Sequence, residues 1–501
     1  MDFLSFILLC LIVAWISIHA LYYSFARRSS NPTRLPPGPN PFPFIGNLLE
    51  LGNKPHLSLT KLSQRYGPIM ALQLGQITTV VVSSSAVAKQ VLRTHDQFFC
   101  NRTIPDAVQA CKHAKYSMPW LTVSPTWRNL RKICNSQLFA AKVLDANQAN
   151  RHLKVQELIA DVKESVVKGK AVEVGRAAFK TTLNLMSRTM FSVDLADPNS
   201  ERAREFKELV WSIMEDAGKP NLADYFPVLK KIDPIGIRRR LGKHFQKMID
   251  LFDRMIVQRL EARKSRVYVT GNDMLDTLIN MSEEKNEDMD MAETQHLFLD
   301  LFGAATDTTS ATLEWAMAEL LRNPEKLSKA QEELKQVIGK GKPVEESDIT
   351  RLPYLQAIIK ETFRLHPAVP FLLPRRAQAD VEICGYIVPK GAQVLVNAWA
   401  IGRDPSIWDN PTSFIPERFL GLNIDVTDRN FELIPFGGGR RICPGLPLAM
   451  RMLNLMLGSL INSFDNWKLE DGIVPEKMNM EEKFGLTLQM AHPLIAVPIK
   501  Y

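Results

Sequence analysis

Residues 436–445 have the sequence Phe-Gly-Gly-Gly-Arg-Arg-Ile-Cys-Pro-Gly, and an apolar run over residues 446–464 follows directly. The apolar run predicts a buried helix, and the glycines before it let the backbone turn tightly and approach a flat ligand. Cys443 would then lie at the N-terminus of that helix, where the helix dipole and free N–H groups stabilise a thiolate. For a lone cysteine, plain core packing is the alternative.

A second chemical pattern lies in a long predicted helix, which begins after the polar loop at residues 282–290 and ends before Pro324. In its middle, residues 304–309 are Ala-Ala-Thr-Asp-Thr-Thr. Hydroxyl groups in a buried helix compete for backbone carbonyls and can open a groove that holds water. Thr308 and Asp307 would then form a proton relay. The alternative is that Thr308 bonds only within its helix and Asp307 forms an ion pair.

The rest of the chain predicts a mainly α fold with a smaller β part. Residues 69–74 and 78–83 are short β-type runs, and a second β-like stretch covers residues 381–397. Residues 120–340 have a helical pattern with few prolines. Since no linker, repeat or low-complexity tract divides the chain after residue 45, we expect one large domain.

The N-terminus predicts a membrane anchor. Residues 3–26 are mostly apolar and, as a helix, would span roughly 36 Å, enough to cross a bilayer. Basic residues and then prolines fill residues 27–45, which predict a stiff hinge. By the positive-inside rule, we expect the body of the protein, residues 46–501, to lie in the cytosol. A cleaved signal peptide is the competing interpretation.

Composition sets further limits. The chain has 501 residues, a formal net charge of +8 and 46% hydrophobic residues, so it can bury a large core. The basic residues are scattered and no nucleic-acid-binding motif occurs, so we expect no nucleic acid partner. The six cysteines show neither metal spacing nor a disulfide framework, which is typical of a reducing compartment.

The ten-residue loop resembles the cysteine-ligand loop of the cytochrome P-450 superfamily at every defining position. Other motifs follow in that superfamily's order: a tryptophan–arginine helix at residues 127–131, Glu-x-x-Arg at 361–364 and Pro-Glu-Arg-Phe at 416–419. The resemblance covers the whole chain and implies the cytochrome P-450 fold with an N-terminal transmembrane helix. It also implies haem b as cofactor, with Cys443 as the axial ligand of the iron, where a thiolate favours O–O cleavage.

The resemblance also implies roles for individual residues. Thr308 and Asp307 would be catalytic, delivering protons during oxygen activation. Glu361, Arg364 and Arg418 would form a buried network that supports the haem loop. The implied haem contacts are Cys443, Arg441, Trp127, Arg131, Arg375, Phe436 and Gly439. The implied substrate contacts are Met118, Trp120, Phe298, Phe302, Ala304, Val369, Phe371 and Phe484.

Within the superfamily, the chain resembles plant microsomal members, especially geraniol 8-hydroxylases and related terpenoid and phenolic hydroxylases. This closer likeness is carried by residues 172–179, 217–221, 395–404 and 480–485. Two positions depart from the pattern. Ala305 replaces the usual glycine and predicts a slightly smaller groove over the haem. Geraniol hydroxylases commonly have proline where this chain has Ala368, so a phenolic or prenylated aromatic substrate stays open.

The implied reaction inserts one oxygen atom from O2 into a C–H bond of a small lipophilic plant metabolite, most of all a terpenoid such as geraniol. Because the chain has no dinucleotide fingerprint, an NADPH-cytochrome reductase would supply the electrons. We expect a single-pass protein of the endoplasmic reticulum membrane, with membrane lipid as a further partner. The rival functions are a reductase-independent haem isomerase or dehydratase and a non-catalytic haem carrier. Neither would need Thr308 and Asp307.

Overall fold

The computed structural model describes residues 34–195, 201–265, 273–284, 290–427 and 429–499, together with part of residues 5–17. The predicted anchor and the start of the hinge therefore lie largely outside the described residues. Within the described part of the chain, no helix is both long enough and apolar enough to cross a membrane.

Helices dominate the described chain, which confirms the mainly α prediction. In chain order they are α1 (Leu48–Leu51), α2 (Pro55–Tyr66), α3 (Ser85–Lys89), α4 (Asp96–Phe99), α5 (Pro125–Ile133), α6 (Ala141–Ala146), α7 (Gln148–Val167), α8 (Val174–Phe191), α9 (Glu201–Gly218), α10 (Leu222–Tyr225), α11 (Ile237–Arg263), α12 (Met274–Glu284), α13 (Met291–Arg322), α14 (Pro324–Val337), α15 (Pro353–Leu365), α16 (Ala398–Ile401) and α17 (Leu446–Ser463). Segments of 3-10 helix include Asp106–Lys115, which is interrupted by non-helical residues at 110–112, and the shorter Pro227–Lys231, Pro416–Phe419 and Gly439–Arg441.

The strands form four small sheets. They are β1 (Ile69–Leu74), β2 (Ile77–Val82), β3 (Asn101–Arg102), β4 (Val172–Glu173), β5 (Arg375–Arg376), β6 (Val381–Ile383), β7 (Tyr386–Val388), β8 (Gln393–Val396), β9 (Asn466–Leu469), β10 (Glu482–Lys483), β11 (Gln489–Met490) and β12 (Ile495–Ile499). The largest sheet has the order β1-β2-β8-β5-β3, with β1 antiparallel and β8 parallel to β2. The others are β4-β12-β9, β6-β7 and β10-β11. The two predicted β-type runs and the second β-like stretch are confirmed.

Helix α13 is the central helix of the domain. It runs for 32 residues, and the Asp290 side chain caps its start by accepting a hydrogen bond from Glu293 N. It packs on α8, α11, α15 and α17, so almost every face of it is buried. Around its middle, however, Ala304 is exposed and Gly303, Ala305 and Thr308 are half-buried. Because other helices enclose α13, the exposed residues at its middle must border an accessible space inside the domain.

Candidate active site

The loop before α17 holds Cys443 in a fixed place. Cys443 N donates a hydrogen bond to Phe436 O at 2.9 Å, which closes the loop. The Phe436 ring packs edge-on against Phe363 of α15, with ring centroids 5.2 Å apart. Gly439 has a φ of +67°, and a Cβ there would lie 2.0 Å from Leu92 O. Only glycine fits this position, as its place in the predicted loop required.

The Cys443 side chain is exposed even though protein atoms surround it. Burial raises the pKa of its thiol, whereas hydrogen bonds from the N–H groups of Gly445 and Leu446 and the charge of Arg131 lower that pKa. These N–H groups belong to the start of α17, as the sequence predicted. Burial has the larger effect, so the pKa of the thiol stays above its ordinary value, and the N–H groups and Arg131 are the partners available to a thiolate charge.

Three arginines gather next to this loop near the carboxylate of Asp96, which also accepts a hydrogen bond from the exposed Arg440 at 2.9 Å. Arg375 is buried and donates to Asp96 Oδ1 at 3.3 Å and to Gly438 O at 3.1 Å. Arg441 is buried and donates to Cys100 O at 2.8 Å and to Met118 O at 3.0 Å. Sequence reasoning missed the third, Arg102, and also missed Asp96. They lie far from every recognised motif, so no local pattern marks them.

Positive charge is in surplus in this cluster. Burial and the neighbouring arginines lower the pKa of Arg102, and burial lowers the pKa of Arg375 and brings the pKa of Arg441 to about 10. The Nε of Arg102 is buried and has no hydrogen-bond partner within the described residues. A group that brings two carboxylates would balance these charges and satisfy this donor.

Helix α5 adds a tryptophan and a fourth arginine. The Ser124 side chain caps the helix by accepting from Trp127 N at 3.2 Å. The Arg441 guanidinium lies 4.6 Å from the centroid of the Trp127 ring. Arg131, one turn further on, lies near enough to Cys443 for their charges to interact. The predicted haem contacts thus converge on one region, and an accessible cysteine with surplus cations fits a haem and its two propionates.

The side chains of Thr308 and Asp307, both on α13, point in different directions. Thr308 Oγ1 donates to Ala304 O at 2.8 Å on the accessible side of the helix. Asp307 is buried on another side, where Gln489 Nε2 donates to its Oδ1 at 2.7 Å. Burial raises the pKa of Asp307, while hydrogen bonds from Thr487 and Gln489 lower it. Asp307 therefore bonds to neutral side chains, and not to a cation as the alternative interpretation had expected. Thr308 bonds within its helix, as that alternative expected.

Behind the cysteine loop, three predicted residues meet in a buried network. Glu361 Oε2 accepts from Arg364 Nε at 2.6 Å, and Glu361 Oε1 accepts from Arg364 Nη2 at 2.7 Å and from Arg418 Nε at 3.0 Å. Arg364 also donates to the backbone oxygens of Gly402 and Pro411, each at 2.6 Å. This network joins α15 to the turn Pro416–Phe419 and to the chain after α16.

The predicted substrate contacts separate into two groups. Ala304 is exposed at the accessible face of α13, and Val369 is half-buried. The Phe371 and Phe484 rings meet edge-on at 5.8 Å, while Met118 and Trp120 are buried with small accessible fractions. Phe298 and Phe302, by contrast, are fully buried and pack on Phe191, Phe206 and Phe252. The structure therefore places these two rings in the aromatic core between α8, α9, α11 and α13, not at the accessible face.

Sequence reasoning also missed a carboxylate that holds the predicted contact Met118. Asp300 lies one turn before Ala304 on α13 and is buried. Its oxygens accept from Ser117 Oγ at 2.6 Å and from Met118 N at 2.8 Å, and His113 Nε2 lies 3.2 Å away. Because Arg441 binds Met118 O, this one residue is tied both to α13 and to the cysteine loop. The signal of Asp300 in the sequence is a lone carboxylate within the apolar run at residues 298–302.

The fold and this site define a haem-thiolate enzyme. A family model for cytochrome P-450 matches residues 36–493. The chain is 56% identical to a geraniol 8-hydroxylase of Catharanthus roseus over 99% of both chains, and 58% identical to one of Swertia mussotii over 96% of both. It is 50% identical to a geranylhydroquinone 3''-hydroxylase of Arnebia euchroma over 98% of both chains. The chain belongs to the cytochrome P-450 family of haem monooxygenases.

Proposed function

We propose that this protein hydroxylates a small lipophilic plant metabolite, most of all a terpenoid such as geraniol. The observation that carries the proposal is the likeness, over nearly the full length, to two geraniol 8-hydroxylases. The accessible face of α13, bounded by apolar side chains, suits a small lipophilic molecule. A phenolic or prenylated aromatic substrate is the second candidate. The similar geranylhydroquinone 3''-hydroxylase and the departure at Ala368 favour it.

The cofactor we propose is haem b, with Cys443 as the iron ligand. Arg102, Arg375 and Arg441 would hold its propionates, with Trp127 and Arg131 beside them. When bound, the haem supplies the activation of O2. The N–H groups at the start of α17 would stabilise the thiolate charge.

Proton delivery would fall to α13. Thr308, whose hydroxyl lies on the accessible side, would hold a water at the reacting end of the substrate cavity. The raised pKa of Asp307 brings its protonation closer to neutral pH, so this carboxyl would take up a proton and pass it towards that water. Asp307 would have to leave Gln489 in order to do so, since the two residues are hydrogen-bonded in the structure.

Electrons would come from an NADPH-cytochrome reductase. Basic side chains surround the cysteine loop on the protein surface: Lys89, Arg93, Arg128, Lys132 and Arg440 are exposed. A basic surface of this kind attracts an acidic partner protein and speeds its association. The loop itself connects this surface to Cys443, so an electron donor docked there would lie close to the iron ligand.

For location, we propose a single-pass anchor at residues 3–26 in the endoplasmic reticulum membrane, with the catalytic domain in the cytosol. Near the point where the described body begins, an exposed apolar face consists of Phe42, Phe44, Leu49, Val228 and Ile232. The turn after β1 joins its two halves, because Gly75 N donates to Ile45 O at 3.1 Å and Gln76 N donates to Tyr225 O at 2.8 Å. Such a face suits contact with membrane lipid.

The experiment is to incubate microsomes that contain this protein and a plant reductase with NADPH and a panel of geraniol, simple phenols and a prenylated hydroquinone, followed by mass spectrometry. We expect one added oxygen atom on geraniol only when reductase, NADPH and O2 are all supplied. Product from a prenylated aromatic alone would support the second candidate. Rearrangement or dehydration of a peroxide substrate without reductase, or no conversion of any lipophilic compound, would overturn the proposal.

A further inference from the structure

Four side chains from distant parts of the chain surround the carboxylate of Glu482, next to the predicted substrate contact Phe484. The Glu482 side chain, in β10, is only 10% exposed, and His56 Nε2 lies 2.7 Å from its Oε2. Trp399 Nε1 donates to Glu482 Oε1 at 3.1 Å. His366 Nδ1 and Arg403 Nη2 lie 3.6 Å and 3.9 Å from the same oxygen. We call these five residues the Glu482 cluster.

The partners of the Glu482 carboxylate stabilise its negative charge although the group is buried. Burial alone raises the pKa of Glu482, but the nearby His366, the hydrogen bond with His56 and the charge of Arg403 leave that pKa well below its usual range. Arg403 lies over the Trp399 ring at 3.7 Å. Groups held by several strong partners inside a protein adopt one geometry, and removing the charge leaves the partners unpaired.

The Glu482 cluster packs against the predicted substrate contact Phe484. The His56 ring stacks on the Phe484 ring, with centroids 5.5 Å apart and planes 12° apart. On another side, Phe484 meets Phe371 edge-on. His56 is fully buried in α2 and is held by Glu482, so it supports Phe484 from behind.

The same cluster holds the chain segment that carries Val369 and Phe371. His366 stacks on Trp315 of α13 at 3.9 Å, and its Nε2 lies 2.7 Å from a carboxylate oxygen of Glu319. Two residues after His366, Ala368 O accepts from Leu488 N at 2.8 Å. The segment that follows α15 and the C-terminal hairpin are therefore fixed to each other and to α13.

We propose that His56, Glu482 and His366 are positioning residues that set the place of the wall formed by Val369, Phe371 and Phe484. They would thereby determine which ligands fit and which carbon of the substrate is oxidised. The inference rests on the proposed function for the identity of the substrate. A displacement of the wall by about 1 Å is enough to change reactivity substantially, because reacting atoms must meet within a narrow range of distances.

The test uses the haem-loaded full chain in membranes and compares two probes that bind haem iron through an imidazole nitrogen. Only the phenyl group of 4-phenylimidazole would reach the wall, whereas imidazole would stay near the iron. We expect Glu482→Gln, which keeps the side-chain size and removes the charge, to change the ratio of the two dissociation constants at least about fivefold. We expect His56→Ala to shift the ratio in the same way, with haem content per chain kept near wild type.

Glu481→Gln is the matched control. Glu481 precedes Glu482 directly and forms an exposed ion pair with Lys54, two residues before His56, at 2.6 Å. It links the same two elements without contacting the wall, so we expect its probe ratio to stay within about twofold of wild type. A shift as large in this control as in Glu482→Gln would show that the cluster only tethers α2, and the proposal would fall.

The remaining outcomes also decide the matter. A wild-type ratio in His56→Ala overturns the proposal even where Glu482→Gln does not load haem. Failure of both variants to load haem would show a purely structural cluster and overturn it too. Because the probes bind without turnover, a wild-type protein that oxidises none of the panel compounds would refute the proposed function alone. Where geraniol is oxidised, an altered ratio of product isomers in Glu482→Gln is the further expected result.

Discussion

Glu361→Gln removes the charge from the buried network behind the cysteine loop. Glu361 accepts four hydrogen bonds: two from Arg364, one from Arg418 Nε at 3.0 Å and one from Ile415 N at 2.8 Å. A glutamine keeps one acceptor oxygen but turns an amide group towards Arg364. Two guanidinium groups, of which that of Arg364 is fully buried, then lose their counter-charge.

Removal of one partner from a buried ion pair costs about 3–5 kcal/mol. This cost is comparable to a large part of the total stability of an ordinary domain. We therefore expect Glu361→Gln to lower the urea midpoint for haem retention sharply and to yield mostly haem-free protein. The assay is the carbon monoxide difference spectrum per mole of chain, followed during urea titration.

Asp161→Asn serves as the control, because Asp161 forms a half-exposed ion pair with Lys180 at 2.7 Å. Its loss should cost less than about 1 kcal/mol. If Glu361→Gln loaded haem like wild type and its midpoint moved no more than that of the control, the network would not support the haem loop.

Four other outcomes can be checked. Cys443→Ser should abolish the thiolate-type carbon monoxide difference spectrum, and an unchanged spectrum would refute the ligand assignment. Thr308→Ala should keep substrate binding but divert NADPH consumption into hydrogen peroxide, whereas Asp307→Asn should slow the whole cycle; joint measurement of NADPH, peroxide and product separates the two. Deletion of residues 1–34 should release much of the protein from membranes with its haem retained, which fractionation tests. Burial raises the pKa of Asp224 from 3.8 to about 6, so ionisation of this carboxyl group lowers the free energy of unfolding as pH rises from about 4 to 6. Asp224→Asn should therefore raise the free energy of unfolding at pH 7 by about 2–3 kcal/mol, with no gain at pH 4.

The sequence predicted the elements that local pattern defines. The bounds of α13 and α17 agree with the prediction within about two residues, because caps and prolines mark where a helix begins and ends. The hairpin of β1 and β2 follows from β-branched residues on either side of a turn. The cysteine loop could be placed because several unusual residues lie together within ten positions.

Contacts between distant residues had no such signal. His56 and Glu482 are 426 positions apart. His56 belongs to no recognised motif, and residues 480–485, which include Glu482, carried a family likeness but gave no sign of the partner. Phe298 and Phe302 were predicted as substrate contacts from the family resemblance. Yet α13 is apolar on nearly every face, so hydrophobic periodicity cannot separate the side that faces ligand from the side that faces the core. Packing of three neighbouring helices, which only the fold determines, decides that question.

The arginines beside the cysteine loop also affect how the chain matures. Arg102, Arg375 and Arg441 lie near one another beside the carboxylate of Asp96. Like charges held close together oppose folding, so this arrangement would favour a bound group that balances them. A ligand that binds only the folded chain stabilises it by mass action. Haem, with two propionates, would therefore act during biosynthesis as a folding ligand. When the chain is synthesised faster than haem is supplied, part of it stays haem-free. This haem-free chain would be the less stable form, and cellular proteolysis removes less stable forms first. The charges that orient the cofactor would thus also match the abundance of the enzyme to the haem supply of the cell.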